Sequence, residues 1–185
     1  MSIVFTILGA YGSDASSVIR LACNLLDGLD LAISYTTRPQ MVDERDTEFF
    51  FSSHEVFEQM IDREEFLEYV SVFGNYYGTP RHSLQSAREK GKDLLIQVDD
   101  HGVAQIKQKI PDAVSILILP GQLLRDKHAV DSTIEKRMLF RLQEASLLSQ
   151  ESSYDKYDHV IIDDGLAGSA NKLIEIIRSE RVRRS

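Results

Sequence analysis

The sequence predicts an α/β fold in which a parallel sheet is covered on both faces by helices. Short apolar runs alternate with segments of helical periodicity along the whole chain, as in repeated strand–helix–strand units. Apolar residues make up 43% of the 185 residues, which is enough for the core of a single domain. A glycine-spaced turn at 9–17 joins the first apolar run to the first helical segment. Ligands of such sheets bind at the carboxyl ends of the strands, so functional residues are expected there.

Strands are predicted where short apolar runs are bounded by polar or turn residues. These runs lie at 3–8, 31–37, 93–99, 113–120 and 157–163. Helices are predicted where apolar residues recur at a spacing of three to four. These segments lie at about 15–26 and at 52–70, 80–91, 101–111, 132–150 and 166–184. Ser53 is a suitable N-cap for the second helix, and Pro80 and Gly91 mark the two ends of the third.

The charge and the composition argue against several classes of function. A net charge of −8 does not suit a general nucleic-acid binder or a protein that binds anionic membranes. The single cysteine excludes an internal disulfide framework, and the five histidines lack the spacing of metal ligands, so no metal site is predicted. No apolar run approaches the ~20 residues of a membrane span. The N-terminus has no basic segment before its apolar run, unlike a signal peptide, so a cytoplasmic protein is expected.

The glycine-spaced turn differs at two positions from a phosphate-binding loop. Such a loop reads G-x-x-x-x-G-K-[ST], and its N–H groups and lysine surround the phosphates. Gly9, Gly12 and Ser16 are present, and the Ser16 hydroxyl could hold Mg²⁺. Asp14 replaces the second glycine, and Ala15 replaces the lysine. We expect the Asp14 carboxylate to repel phosphate, and Ala15 supplies no cation.

These replacements favour an ordinary helix start. Ser13 or Asp14 would cap the first N–H groups of the helix, and the charge of Asp14 would suit the helix dipole. Asp14 would then act as an internal substitute for phosphate.

Three segments together resemble guanylate kinase: SYTTRP at 34–39, EFLEYVSVFGNYYGTPR at 65–81 and DAVSILILP at 112–120. The order and spacing of the intervening elements agree over essentially the whole chain. The resemblance implies a P-loop-kinase-like fold with guanylate kinase topology. It also implies one domain with three regions: a core at 1–33, 81–125 and 136–185, a GMP-binding region at 34–80 and a short lid at 126–135.

The resemblance assigns the reading of the guanine base to Ser34, Glu68, Thr79 and Asp99. Guanine carries hydrogen-bond donors at N1 and N2, which a carboxylate can accept, whereas the corresponding edge of adenine is different. A buried carboxylate without its partner is costly, so discrimination at such a site can be large.

The site for the GMP phosphate is less complete. The family uses two arginines three residues apart and two tyrosines. Arg38 matches the first arginine, but the second position is Met41, which cannot hold a phosphate. The first tyrosine falls on Phe49 or Phe50, which lack the hydroxyl, and Tyr77 matches the second. Hydrogen bonds to charged groups contribute about 1.5–3 kcal/mol each. We therefore expect GMP to bind about 10- to 100-fold more weakly than at a site that has both arginines.

The segment that corresponds to the lid also departs from the family. It lacks the arginine-rich motif that closes over the transferring phosphate, although Arg125 and Lys127 could supply charge. Arg141 matches a family arginine that points to the phosphates and is the one candidate catalytic residue.

Three functions are compatible with this pattern. The preferred hypothesis is a pseudokinase or nucleotide-sensing module that has lost ATP binding and phosphoryl transfer and keeps a guanine pocket, and no cofactor is assigned to it. The second is an active nucleoside monophosphate kinase with an atypical donor site, which would require ATP and Mg²⁺. The third is a protein-interaction module that uses the former GMP cleft. A protein partner and a homodimer both stay open.

Overall fold

The computed structural model describes residues 2–10, 13–40, 49–121 and 151–184. The strands are β1 (Val4–Gly9), β2 (Leu29–Leu31), β3 (Ser34–Thr36), β4 (Phe49–Phe51), β5 (Phe66–Val72), β6 (Asn75–Pro80), β7 (Asp93–Gln97), β8 (Val114–Pro120) and β9 (His159–Asp163). The helices are α1 (Ala15–Leu25), α2 (His54–Asp62), α3 (Arg81–Glu89), α4 (Asp100–Lys109) and α5 (Leu166–Arg183), with a 3₁₀ turn at Glu151–Lys156. None of the helices described is long and apolar enough to cross a membrane.

The predicted parallel sheet is confirmed. It has five strands in the order β2-β7-β1-β8-β9. β2 pairs with β7 and β8 pairs with β9, both in parallel, and the strands alternate with helices along the chain. Strands that are apolar at consecutive positions are typical of a sheet buried on both faces, and β8 is buried at six of its seven residues.

The chain divides into two compact units, each with its own apolar core. The first comprises Met1–Thr6 and Gly28–Ala113, and one of its buried apolar clusters contains Leu67, Leu84 and Ile106. The second comprises Ile7–Asp27 and Val114–Ser185. In the second unit α1 packs against α5, and the fully buried side chains include Ile116, Ile118 and Leu173.

A second sheet, which the sequence did not predict as a separate element, lies in the first unit. Its four strands have the order β4-β3-β6-β5. The predicted strand 31–37 is therefore wrong as one element, because it divides into the end of β2 and the whole of β3, which belong to different sheets. Residues 32 and 33 separate the two strands, and no glycine or proline marks the break.

The predicted helix at 52–70 is also wrong in its second half. Ser53 caps α2 as expected, accepting a hydrogen bond from the N–H of Val56, but the helix ends at Asp62. Glu64 takes a left-handed conformation with φ of 54°, and the N–H groups of residues 64 and 65 bond back to residues 61 and 60. This is a Schellman ending, whose left-handed position is usually a glycine, so a glutamate at this position does not predict the end of the helix.

The irregular pairing of β5 with β6 sets the direction of three consecutive side chains. Phe66 pairs with Pro80 and Glu68 pairs with Thr79, so two steps on β5 match one step on β6 and form a bulge. Without the bulge, positions 66 and 68 would lie on the same face of the sheet. With it, Phe66 stacks on the ring of Phe57 while Glu68 turns to the opposite face.

Gly78 permits the close approach of β5, β6 and α2. A Cβ at this position would lie 2.9 Å from Phe66 Cδ1, 3.0 Å from the Glu68 carbonyl oxygen and 3.0 Å from Phe57 Cζ. Gly78→Ala is therefore expected to lower the free energy of unfolding by about 1–3 kcal/mol, as overpacking does, measured by urea unfolding. Gly91→Ala is the control, since its Cβ would meet open space and only its φ of 64° is unfavourable. A loss at position 78 no larger than at position 91 would contradict this packing.

Candidate functional site

Three of the four side chains expected to read the base lie on one face of the four-stranded sheet. The register pairs Ser34 with Phe49, Thr36 with Tyr77, and Glu68 with Thr79, and paired residues of neighbouring strands point to the same face. The structure therefore brings together Ser34, Thr79 and Glu68, which are up to 45 residues apart in the sequence.

Glu68 is the centre of this group and is only 4% exposed. Its Oε1 accepts two hydrogen bonds from Thr79, one from the N–H at 2.9 Å and one from the hydroxyl at 2.6 Å. The Thr79 hydroxyl also lies 3.2 Å from the Ser34 hydroxyl. Because the Thr79 proton is used on Glu68, Ser34 is the donor of this third bond. The chain of hydroxyls fixes one oxygen of the carboxylate and leaves Oε2 for other partners.

Asp99 is the fourth residue of the group and lies at the N-terminus of α4. Its Oδ1 caps the helix by accepting a hydrogen bond of 2.7 Å from the N–H of Gly102. Its Oδ2 is buried, and no hydrogen-bond partner reaches it from the described residues. A buried polar atom without a partner is unfavourable, and this one lies close enough to Glu68 for the two carboxylates to repel each other.

Burial raises the pKa of Glu68 to about 7, and repulsion by Asp99 adds to the effect. The two bonds from Thr79 and the positive charge of Lys109 oppose the rise. Burial dominates because the carboxylate has lost most of its water, which disfavours the charged form. A buried carboxylate of this kind is stabilised by a ligand that supplies hydrogen-bond donors.

Gly102 is a site residue that sequence reasoning missed. A Cβ at this position would lie 3.1 Å from Glu68 Oε2 and 2.8 Å from Val98 Cβ. Only glycine lets the first turn of α4 approach the carboxylate this closely. The sequence does contain a signal for Gly102, which lies inside a predicted helix. Glycine is unfavourable there and usually has a packing reason.

Arg38 and Tyr77 lie on the same face and are joined through Phe49. The Arg38 guanidinium carbon is 5.1 Å from the centre of the Phe49 ring and 5.4 Å from that of Phe51, within the range of cation–π contacts. Tyr77 meets Phe49 edge to face. Phe50 points to the other face, against Tyr35. Of the two phenylalanines considered from the sequence, Phe49 therefore stands beside Arg38 and Tyr77.

The helix start after β1 differs from the expectation. Asp14 is the N-cap residue of α1, but within the described part of the chain no side-chain hydrogen bond of this residue caps the helix, so the predicted capping by Ser13 or Asp14 is wrong. The Ser13 hydroxyl instead donates to the Ala10 carbonyl at 2.7 Å, and the Asp14 N–H faces Asp163 Oδ2 at 3.5 Å. Ala15 is buried, and a Cβ on Gly9 would meet its Cβ at 2.4 Å. Asp14 therefore does not take the place of a phosphate at the helix N-terminus.

Several predicted residues lie outside the described part of the chain. These are Gly12, Met41, Arg125, Lys127, Arg141 and the lid 126–135.

A family model described as guanylate kinase matches residues 7–180 of the chain. A guanylate kinase of Koribacter versatilis is 35% identical, over 98% of this chain and 80% of its own length. One from Escherichia coli O157:H7 is 36% identical over 94% and 86%. This chain belongs to the guanylate kinase family. A crystal structure of guanylate kinase from Anaplasma phagocytophilum superimposes with a TM-score of 0.73 at 26% identity, covering 97% of this chain and 86% of that one.

Family membership confirms the resemblance and the fold, and it contradicts the preferred functional hypothesis. That hypothesis held that ATP binding and phosphoryl transfer have been lost, whereas the relatives matched over nearly the whole chain are named guanylate kinases. The hypothesis depended on Asp14 and Ala15 in the turn, on the arginine-rich motif that the lid segment lacks, and on a capping by Ser13 or Asp14 that is wrong. The kind of enzyme that the family implies is a nucleoside monophosphate kinase.

The raised pKa of Glu68 predicts that this residue destabilises the fold at neutral pH. The unfolded chain releases the proton near pH 4.5 and the folded chain near pH 7, so stability falls as the pH rises between these values. Glu68→Gln can accept the same bonds from Thr79 and cannot ionise. It is expected to raise the free energy of unfolding by about 3 kcal/mol near pH 8 and to leave it unchanged near about pH 4.

Urea unfolding across this pH range measures the difference. Glu58→Gln, at an exposed position of α2, is the matched control for the change from glutamate to glutamine. A gain for Glu68→Gln that is the same at both ends of the range would show that Glu68 does not titrate as described.

Proposed function

We propose that this chain is a guanylate kinase, which transfers the γ-phosphoryl group of ATP to GMP and forms ADP and GDP. The observation that carries the proposal is the buried Glu68 carboxylate, fixed by Thr79 beside the unpartnered Oδ2 of Asp99. A carboxylate this deeply buried is unfavourable without a ligand, and the edge of guanine provides two adjacent donors for it. The matched relatives are named for the same reaction.

In this proposal each residue of the group has one role. Glu68 accepts hydrogen bonds from N1–H and N2–H of guanine, and Asp99 Oδ2 is a second acceptor for the base. Thr79 fixes one carboxylate oxygen, and Ser34 fixes Thr79 through their 3.2 Å contact. Adenine offers an acceptor at N1 where guanine offers a donor, so adenine would leave both carboxylates unsatisfied.

The GMP phosphate is proposed to bind Arg38 and Tyr77. Arg38 is already restrained by the rings of Phe49 and Phe51 and by a bond of 3.1 Å to the Pro39 carbonyl. A restrained guanidinium loses less entropy when it binds phosphate. Phe49 contributes no hydroxyl, so binding of the phosphate depends on fewer charged hydrogen bonds.

On the donor side the proposal uses the N-terminus of α1. The helix has eleven residues, and its N–H groups carry partial positive charge that suits phosphate oxygens. The donor set for Mg²⁺ fits: the Ser16 hydroxyl stands in the exposed first turn, and Mg²⁺ prefers few protein ligands with waters and substrate phosphates. Bound Mg²⁺ would neutralise part of the charge on the phosphates. Arg125, Lys127 and Arg141 are the proposed cations in place of the loop lysine.

Phosphoryl transfer needs little covalent chemistry from the protein. An oxygen of the GMP phosphate bonds to the γ-phosphorus, the bond to the β–γ bridging oxygen breaks, and ADP leaves. Positioning of the substrates and neutralisation of phosphate charge provide most of the rate enhancement. We also propose the three regions of the family: the core at 1–33, 81–125 and 136–185, the GMP-binding region at 34–80 and the lid at 126–135.

The direct test is to incubate the purified chain with ATP, Mg²⁺ and GMP and to separate the nucleotides by chromatography. ADP and GDP should form in equal amounts, and AMP should be a poor acceptor. Glu68→Ala should lower kcat/KM for GMP by about 100-fold, because two hydrogen bonds to a charged group are lost, and should remove the preference over AMP. Glu58→Ala is the control. No GDP from the unaltered chain would overturn the proposal.

The pKa of Glu68 also predicts the pH dependence of substrate binding. Guanine donates to the ionised carboxylate, so KM for GMP should fall about tenfold per pH unit as the pH rises towards 7 and then level off. KM for ATP, measured in the same series, should not follow this curve. In Glu68→Gln the dependence of the GMP value should disappear, and if it persists, another group is responsible.

A further inference from the structure

The helix α4 holds the free edge of β5 through two side chains. β5 is the last strand of the four-stranded sheet, so one edge of its backbone has no strand partner among the residues that the structure describes. Gln105 bonds both backbone groups of Tyr69, accepting from the N–H at 3.2 Å and donating to the carbonyl at 2.8 Å. One turn further, Lys109 Nζ donates to the carbonyls of Phe66 at 3.3 Å and Leu67 at 2.5 Å. Residues four apart on a helix share a face, so the two side chains act along the same edge.

The Lys109 contacts lie at the bulge that directs Glu68, and the Gln105 contacts lie at Tyr69, the residue that follows it. A bulge disrupts the ladder, and the carbonyls of Phe66 and Leu67 are the backbone groups at its first two residues. The three side chains from 66 to 68 are all buried, but in different surroundings: an aromatic cluster, the aliphatic core and the polar group around Thr79. A relaxation of the bulge would therefore move the Glu68 carboxylate away from Thr79.

We propose that Gln105 and Lys109 are positioning residues of the guanine pocket, which hold the β5 bulge so that the Glu68 carboxylate stands in the orientation that accepts the base. This inference rests on the proposed function for the identity of the ligand. It assigns a role to two residues that the base-reading set does not contain. Neither residue touches the base, and both act through the backbone of β5.

The charge of Lys109 acts on the same carboxylate. It lowers the pKa of Glu68 against burial and against the repulsion by Asp99. Burial and then the neighbouring Arg81 lower the pKa of Lys109 itself, while Glu68 and Glu64 raise it. Removal of the ammonium group therefore leaves Glu68 facing Asp99 with less compensation, and a smaller fraction of it is ionised at neutral pH.

Four variants separate positioning from a general effect of surface charge. Lys109→Met keeps the apolar stem and removes the donors and the charge, Lys109→Arg keeps both, and Gln105→Met removes the two bonds to Tyr69. Lys90→Met is the matched control, because it also removes one lysine, whose ion pair is with Asp30 at 3.1 Å.

Each variant is measured in two ways. Carbon NMR of the Glu68 carboxyl group follows its titration in the ligand-free protein. Steady-state kinetics with ATP, Mg²⁺ and GMP, together with calorimetry using GMP alone, follow the pocket. Circular dichroism checks that each variant is folded.

Lys109→Met should move the Glu68 titration to higher pH and raise both KM and Kd for GMP about five- to tenfold near pH 7, with kcat changed less than twofold. Gln105→Met should raise KM about three- to fivefold without moving the titration by a comparable amount. Lys109→Arg should restore the original values, and Lys90→Met should show neither effect.

Equal KM and Kd for Lys109→Met, Lys90→Met and the unaltered chain would overturn the inference, as would a loss confined to kcat. If the unaltered chain binds GMP but forms no GDP, the proposed function fails while the calorimetry and the titration still decide the inference. If the unaltered chain does not bind GMP, both fail.

Discussion

The bulge in β5 separates Phe66 from Glu68, and the candidate site depends on that separation. A regular strand would place both side chains on one face and force either a carboxylate into the aromatic cluster or a phenyl ring into the polar group. The bulge lets the aromatic ring close the core beside α2 while the carboxylate meets Thr79 on the other face. Gly78 and Gly102 make room on the two sides of the strand, so the same irregularity requires glycine in both neighbouring elements.

The Glu68 carboxylate lies in a buried position that disfavours its charged form when no ligand is bound. Its pKa of about 7 means that at neutral pH the fold carries a group near half ionisation, which costs stability that a glutamine would not. A site of this kind gains more from a ligand with two donors than a solvated carboxylate would, since it has already lost its water. The cost to the fold and the selectivity for guanine would then have one physical origin.

The turn after β1 shows that a functional prediction from a single motif can be wrong when the rest of the chain is not considered. Two replaced side chains, Asp14 and Ala15, supported an interpretation in which the helix capped itself, yet among the described residues the Asp14 side chain makes no capping hydrogen bond. The family match extends over residues 7–180 and includes this turn, so it outweighs two positions. Backbone N–H groups and a helix dipole do not depend on side-chain identity, which is why a loop can change its side chains more freely than its backbone path.

The alternation of strands and helices and the family could be inferred from the sequence, because they are encoded in local periodicity and in short motifs such as NYYGTP at 75–80, whereas the base-reading set stays a prediction. The sequence also placed the N-cap at Ser53. Long-range packing was needed to show that Phe66–Val72 is a strand, that Phe49 and not Phe50 stands beside Arg38, and that Lys109 reaches Leu67. The last contact joins residues 42 positions apart. No local pattern records such a pairing, because a bulge and the edge of a sheet exist only after distant segments have packed.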